Sequence, residues 1–137
     1  MTDVYVLDSY AILALLGREA GSDEVADLLS RAREEKIQVL MTWINAGEVA
    51  YIVERRWGRT RLFQVLGILE ATKIKFVPIG RELALAAAHV KAGHPLAYAD
   101  AFAAALTRNE GATLVTGDPE FKALDEDLSI HWLARKT

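Results

Sequence analysis

Val4-Tyr5-Val6-Leu7-Asp8-Ser9-Tyr10-Ala11-Ile12-Leu13-Ala14-Leu15-Leu16 decides the fold. Val4 to Leu7 is a continuous apolar run, as a strand buried on both faces requires, and it stops at an acid. Ser9 to about Leu16 has no β-like alternation and ends at Gly17, so it reads as a helix. A doubly buried strand running into a helix opens a βαβ unit and hence a parallel sheet. The same rhythm continues outward. A helix is expected from about Ser22, read as its N-cap, to about Glu35, then a strand from Ile37 to Met41. Thr42 reads as the N-cap of a helix reaching about Trp57, with Gly58 as a stop and another helix from Arg59 to Ala71. Ile74 to Val77 is a third strand closed by Pro78, and Arg81 to Lys91 is helical up to the break at Gly93-His94-Pro95. Tyr98 to about Glu110 is an alanine-rich helix, Thr113 to Thr116 a fourth strand, Gly117-Asp118-Pro119 a turn, and Ile130 to Leu133 a short edge strand. The fold class is α/β, in one domain over residues 1–137, with no internal repeat, low-complexity tract or linker.

Composition narrows the function. Lys and Arg number 16 against 19 for Asp and Glu, a formal charge of −3, so any contact with nucleic acid must be local. There is no cysteine, which excludes disulfides, thiolate nucleophiles and cysteine-held zinc, and suits a reducing compartment. No run has the length of a membrane span and the N-terminus lacks a signal-peptide pattern, so a soluble, cytoplasmic chain is expected.

The acids carry the chemistry. Asp8 ends the first strand, Asp118 follows the fourth, and Glu48 lies early in the helix after the second. In a parallel sheet the strands' carboxyl ends share one edge, and ligands bind in the crevice outside it. Asp100, in Ala97-Tyr98-Ala99-Asp100-Ala101-Phe102, is an acid among residues that favour burial. Each has an ordinary structural reading: Asp8 as an N-cap, Asp100 as a partner for a helix dipole, Asp118 as a turn residue, Glu48 as a solvated charge. Their shared edge is harder to explain that way. Carboxylates about 5 Å apart at an effective dielectric near 20 repel by roughly 3 kcal/mol per pair. Either some hold protons or a cation sits among them, and an all-oxygen donor set favours Mg²⁺ or Mn²⁺ over zinc. Such a site suits phosphodiester hydrolysis.

Four segments go further. Val6-Leu7-Asp8-Ser9, Ile44-Asn45-Ala46-Gly47-Glu48-Val49, Pro95-Leu96-Ala97-Tyr98-Ala99-Asp100-Ala101 and Leu114-Val115-Thr116-Gly117-Asp118-Pro119-Glu120-Phe121 resemble, in order and spacing, the motifs of PIN-domain ribonucleases. Within that family the chain looks like a VapC-type toxin of a toxin–antitoxin pair. The resemblance covers nearly the whole chain and implies a three-layer α/β/α fold with a central, mainly parallel sheet. It also implies Mg²⁺- or Mn²⁺-dependent endonucleolytic RNA cleavage, a homodimer and a VapB-type antitoxin. By position, Asp8, Glu48, Asp100 and Asp118 match the acidic quartet, with Asp8, Asp100 and Asp118 holding metal and Glu48 serving the attacking water. Ser9, Asn45 and Thr116 match supporting polar positions. Gly47 departs from the commonest pattern.

Arg55, Arg56, Arg59 and Arg61 form the densest basic stretch, a candidate RNA contact or simply cations at a helix C-terminus. Trp43, Trp57 and Trp132 read as core or interface, and the scattered His89, His94 and His131 as structural or surface. Tyr10 to Leu16 is apolar all round, so outward-facing side chains there are expected to mark a partner surface. An aspartyl-phosphate phosphatase would want an acid where Tyr10 stands, and a dinucleotide site would want glycines after the first strand. The remaining rivals are a non-catalytic binding module and a DNA-cleaving relative.

Overall fold

A computed structural model describes residues 2–135. Strands β1 (Asp3–Leu7), β2 (Ile37–Thr42), β3 (Lys75–Val77), β4 (Thr113–Thr116) and β5 (Ser129–Trp132) form one sheet in the order β3-β2-β1-β4-β5, every pair parallel. Helices α1 (Ser9–Leu16), α2 (Ser22–Arg33) and α3 (Trp43–Ala71) cover one face, and α4 (Arg81–Gly93) and α5 (Tyr98–Asn109) the other. The result is a three-layer α/β/α domain.

Alternation along the strands divides the core. Leu7, Val39, Met41 and Val115 pack against α1 to α3, while Val6, Leu40 and Leu114 meet the alanine-rich α5. The chain lays down β1, β2 and β3 in one direction and then crosses back to place β4 on the other side of β1. The order reverses between β1 and β4, so the binding crevice lies above their carboxyl ends. Leu7 pairs with Val115, which brings Asp8 beside Thr116.

Gly58 breaks the helical run where expected: at φ 87°, ψ 175° it is the one non-helical residue inside α3, which is therefore two helical halves. An unbroken helix would hold Ala46 and Leu69 about 35 Å apart. Here they line one apolar cavity of about 260 Å³ with Trp43 and Phe76, so α3 doubles back on itself at Gly58. Other local expectations are corrected. The N-cap of α2 is Gly21, at φ 90°, and not Ser22, because the turn out of α1 needs left-handed backbone there. Residues Pro119–Leu124 form a 3-10 helix that alternation and helical periodicity did not signal.

Much of the apolar circumference of α1 is covered within the fold itself. Ile12 is buried, and Leu13, Leu15 and Leu16 are half-buried against the core, because α2 packs over α1. Large apolar side chains are instead exposed on α3: Trp43, Ile44, Tyr51, Trp57, Phe63 and Ile68. Trp43 and Trp57 are more than half exposed and therefore not core residues. Trp132 is half-buried. His131 pairs with Glu24, His94 bonds Val90 O and faces Asp127, and His89 is exposed, in keeping with structural and surface roles. Among the described residues no helix is long and apolar enough to cross a membrane.

Candidate active site

Asp8 ends β1 and caps α1, its Oδ1 accepting from Ala11 N at 2.9 Å. The capping role is real, and it does not exhaust the side chain. Oδ2 accepts the Thr116 hydroxyl at 2.5 Å, and Thr116 Oγ1 in turn accepts Asp118 N at 3.0 Å. One buried threonine thus ties the acid ending β1 to the acid following β4. Asp118 Oδ1 accepts from Glu120 N and so starts the 3-10 helix. The loop closes tightly because residue 117 is glycine: a Cβ there would come 2.4 Å from the Tyr10 ring.

Glu48, half-buried, stands in the second turn of α3 and accepts the Ser9 hydroxyl through Oε1. Gly47 leaves the helix intact at this point. Asp100 lies in the first turn of α5 and is only 6% exposed. It is placed through its neighbour. Asn45, fully buried, donates from Nδ2 to Ala99 O at 3.2 Å and accepts the Thr42 hydroxyl at 2.6 Å, joining α3 to α5 beside Asp100. Replacing Asn45 with alanine deprives the buried Thr42 hydroxyl of its acceptor. A loss of about 1–3 kcal/mol in stability is therefore expected, read as a shift in denaturation midpoint at unchanged slope.

The structure brings the four predicted acids to one edge and adds a fifth. Carboxylate oxygens of Asp100, Asp118 and Glu120 lie within 4.8 Å of one another; Asp8 and Glu48 stand outside that tight trio. Burial, only partly offset by bonds from Thr116 and Ala11, pushes the Asp8 carboxyl up to about 7, and Asp118 and Glu48 add to the rise. Burial likewise pushes Asp100 up to about 8, with Asp118, Asp8, Glu120 and Glu48 contributing. Among the described residues none of the ion pairs reaches these five acids. Positive potential comes instead from the N-termini of α1, α3 and α5, each worth roughly half a charge. That leaves a surplus of negative charge on hard oxygen donors, a set that fits a Mg²⁺- or Mn²⁺-like cation.

Glu120 lies inside the Thr116-Gly117-Asp118-Pro119-Glu120 segment but is not among the four acids that position along the chain singles out. Its signal was weak, since an exposed acid after a proline is ordinary. Only the 3-10 turn brings it toward Asp100.

Arg55, Arg56 and Arg59 are exposed on α3, lying over the rings of Tyr51, Trp57 and Phe63 at 5.3, 5.9 and 5.5 Å from their centroids. Arg61 bonds Gln64.

The PIN domain family model matches residues 5–127, nearly the full chain and all five acids. The chain belongs to the PIN-domain family. Solved structures match this PIN domain in shape far more than in sequence. VapBC2 from Rickettsia felis, bound to a promoter DNA fragment, superposes with a TM-score of 0.74 at 17% identity, covering 96% of this chain and 99% of that one. DNA-bound VapBC from Salmonella typhimurium gives 0.72 at 19% identity, covering 96% and 98%. VapC20 from Mycobacterium tuberculosis, a toxin that cleaves the sarcin-ricin loop, gives 0.66 at 20% identity, covering 87% and 93%. No curated protein matches the sequence significantly.

Proposed function

We propose that this PIN domain is a divalent-cation-dependent endoribonuclease, the toxin of a VapBC-type toxin–antitoxin pair. The observation that carries the reading is the convergence of five acids at the switch point, two of them with carboxyls pushed up to about 7 and 8 by burial and by the neighbouring acids. Asp8, Asp100 and Asp118 would hold Mg²⁺ or Mn²⁺, and Glu120 lies close to Asp100 and Asp118. When bound, the cation neutralises charge growing on phosphate oxygens and makes water more acidic. The chain's own residues do the rest. Glu48, steadied by Ser9, orients the attacking water and accepts its proton. Thr116 holds Asp8 and the Asp118 backbone in one frame, and Asn45 fixes the start of α5 and with it Asp100. Supporting the toxin reading are the VapBC complexes and the RNA-cleaving VapC20 that share the fold. A VapB-type antitoxin, a homodimeric state and a cytoplasmic location belong to the same proposal.

Purified protein freed of any inhibitor is expected to cleave single-stranded RNA with Mg²⁺ or Mn²⁺ and to stop on chelation. Undiminished cleavage in excess EDTA overturns the metal reading. Cleavage of a matched DNA oligonucleotide with RNA left intact would favour the DNA-cleaving rival. Expression should arrest growth, with relief by the adjacent small gene if one encodes a DNA-binding protein.

A further inference from the structure

A chain of net charge −3 with acids at its reaction centre must draw in a polyanion through local positive charge. The four arginines of α3 are not equivalent for that task. At 3.6 residues per turn, positions three, four and seven apart share a helix face. Glu48, Tyr51 and Arg55 form such a stripe. Tyr51 lies about 4.5 Å and Arg55 about 10.5 Å further along the axis than Glu48. The face begins at the acid site, since Glu48 accepts the Ser9 hydroxyl beside Asp8. Tyr51 is 50% exposed, and the Arg55 guanidinium lies over its ring at 5.3 Å, so the two side chains project together. Trp57 and Arg61 turn elsewhere, lining a cavity with Leu16 and Val53 against the end of α1.

We propose that Tyr51 and Arg55 form a docking face for single-stranded RNA that runs outward from the acid cluster along α3. This rests on the ribonuclease reading and extends it to the residues that hold the substrate. A nucleobase stacks on the exposed Tyr51 ring, and Arg55 presents a planar fork to a backbone phosphate. Arg55 stands about 10.5 Å along the axis from Glu48, beyond the Debye length of about 8 Å at physiological salt, so it acts on the phosphate it touches and its contribution falls as salt rises. RNA fits this pairing better than a protein segment does, because an arginine over a tyrosine offers a stacking surface and a phosphate donor side by side.

The test is fluorescence anisotropy of a short mixed-sequence single-stranded RNA with the full chain in EDTA, where binding is read without turnover. Tyr51→Ala is expected to weaken binding at least about fivefold, whereas Tyr51→Phe keeps the ring and stays within twofold of the parent. Arg55→Gln should weaken binding and lower the slope of log affinity against log salt by about one, and Arg55→Lys should preserve the slope. Both positions are exposed, and unchanged thermal midpoints will confirm folding. Arg33→Gln, exposed at the end of α2 that leads into the amino end of β2 and so on the opposite edge of the sheet, serves as a control and should have no effect. With Mg²⁺, Tyr51→Ala and Arg55→Gln should raise KM more than they lower kcat. The proposal is overturned if the parent binds no RNA, or if Tyr51→Ala and Arg55→Gln bind as the parent does. It is equally overturned if they bind RNA normally but lose self-association on gel filtration, which would assign the face to a second copy. If the parent proves unable to cleave RNA yet the variants show these binding losses, the docking face stands and the ribonuclease reading falls.

Discussion

Asp8→Asn and Asp100→Asn are each expected to lower RNA cleavage at saturating substrate by at least about 100-fold, while the metal-free protein stays folded with an equal or higher thermal midpoint. Residues that merely orient metal ligands cost 10- to 100-fold when lost, so removal of a ligand itself should exceed that range. Stability should move the other way. At Asp8 an amide oxygen still accepts from Ala11 N, and the amide NH₂ can donate to Thr116 Oγ1, which then no longer donates to residue 8. At Asp100 the amide removes a charge that Asp118, Asp8, Glu120 and Glu48 all disfavour. Activity and midpoint measured together separate a chemical role from a structural one. Near-normal cleavage by either variant would show that the acid is not a ligand, and a collapsed midpoint would show that its main duty is to the fold.

Stability of the metal-free protein should fall as pH rises from about 4 to about 8. The Asp8 and Asp100 carboxyls are raised in the folded state from an ordinary 3.8 to about 7 and about 8. Below pH 4 the folded and unfolded chains both hold these protons, so nothing is lost. Between 4 and 8 the unfolded chain releases them and the folded chain retains them, which favours unfolding increasingly until the folded groups also ionise. For Asp8 the loss is on the order of 4 kcal/mol. Urea midpoints across this window should trace the decline, and the Asp8→Asn, Asp100→Asn double variant should flatten it. Added Mn²⁺ should stabilise more at pH 8 than at pH 5, because binding must expel those protons. A parent profile that rises between pH 5 and 8 without metal would contradict the burial of these acids.

Most of the architecture was legible because it depends on local patterning. Val4 to Leu7, Ile37 to Met41 and Thr113 to Thr116 are apolar enough to demand burial on both faces, and the observed strands match them within a residue or two. Asp8, Glu48, Asp100 and Asp118 were legible for a related reason, since strand ends and early helix turns after strands share one edge of a parallel sheet. Features that depend on how distant segments meet were harder to read. The apolar circumference of α1 suggested a partner, whereas α2 supplies the cover, and the exposed aromatics lie on α3. Tryptophan composition says nothing about side: Trp43 stacks on Phe76 and remains half exposed.

The amino-acid sequence by itself determined the order of strands and helices, their parallel sense and the placing of four acids along one edge, because periodicity and end residues act over a few positions of the chain. Tertiary structure alone decided that β4 returns to the far side of β1, where Thr116 meets Asp8 across 108 positions, and that Glu120 joins Asp100 and Asp118. It also decided that the two halves of α3 fold back on each other across Gly58. The physical reason is that closing such long loops is favoured only by the burial of the whole core, and no local pattern records which residues that burial will bring together.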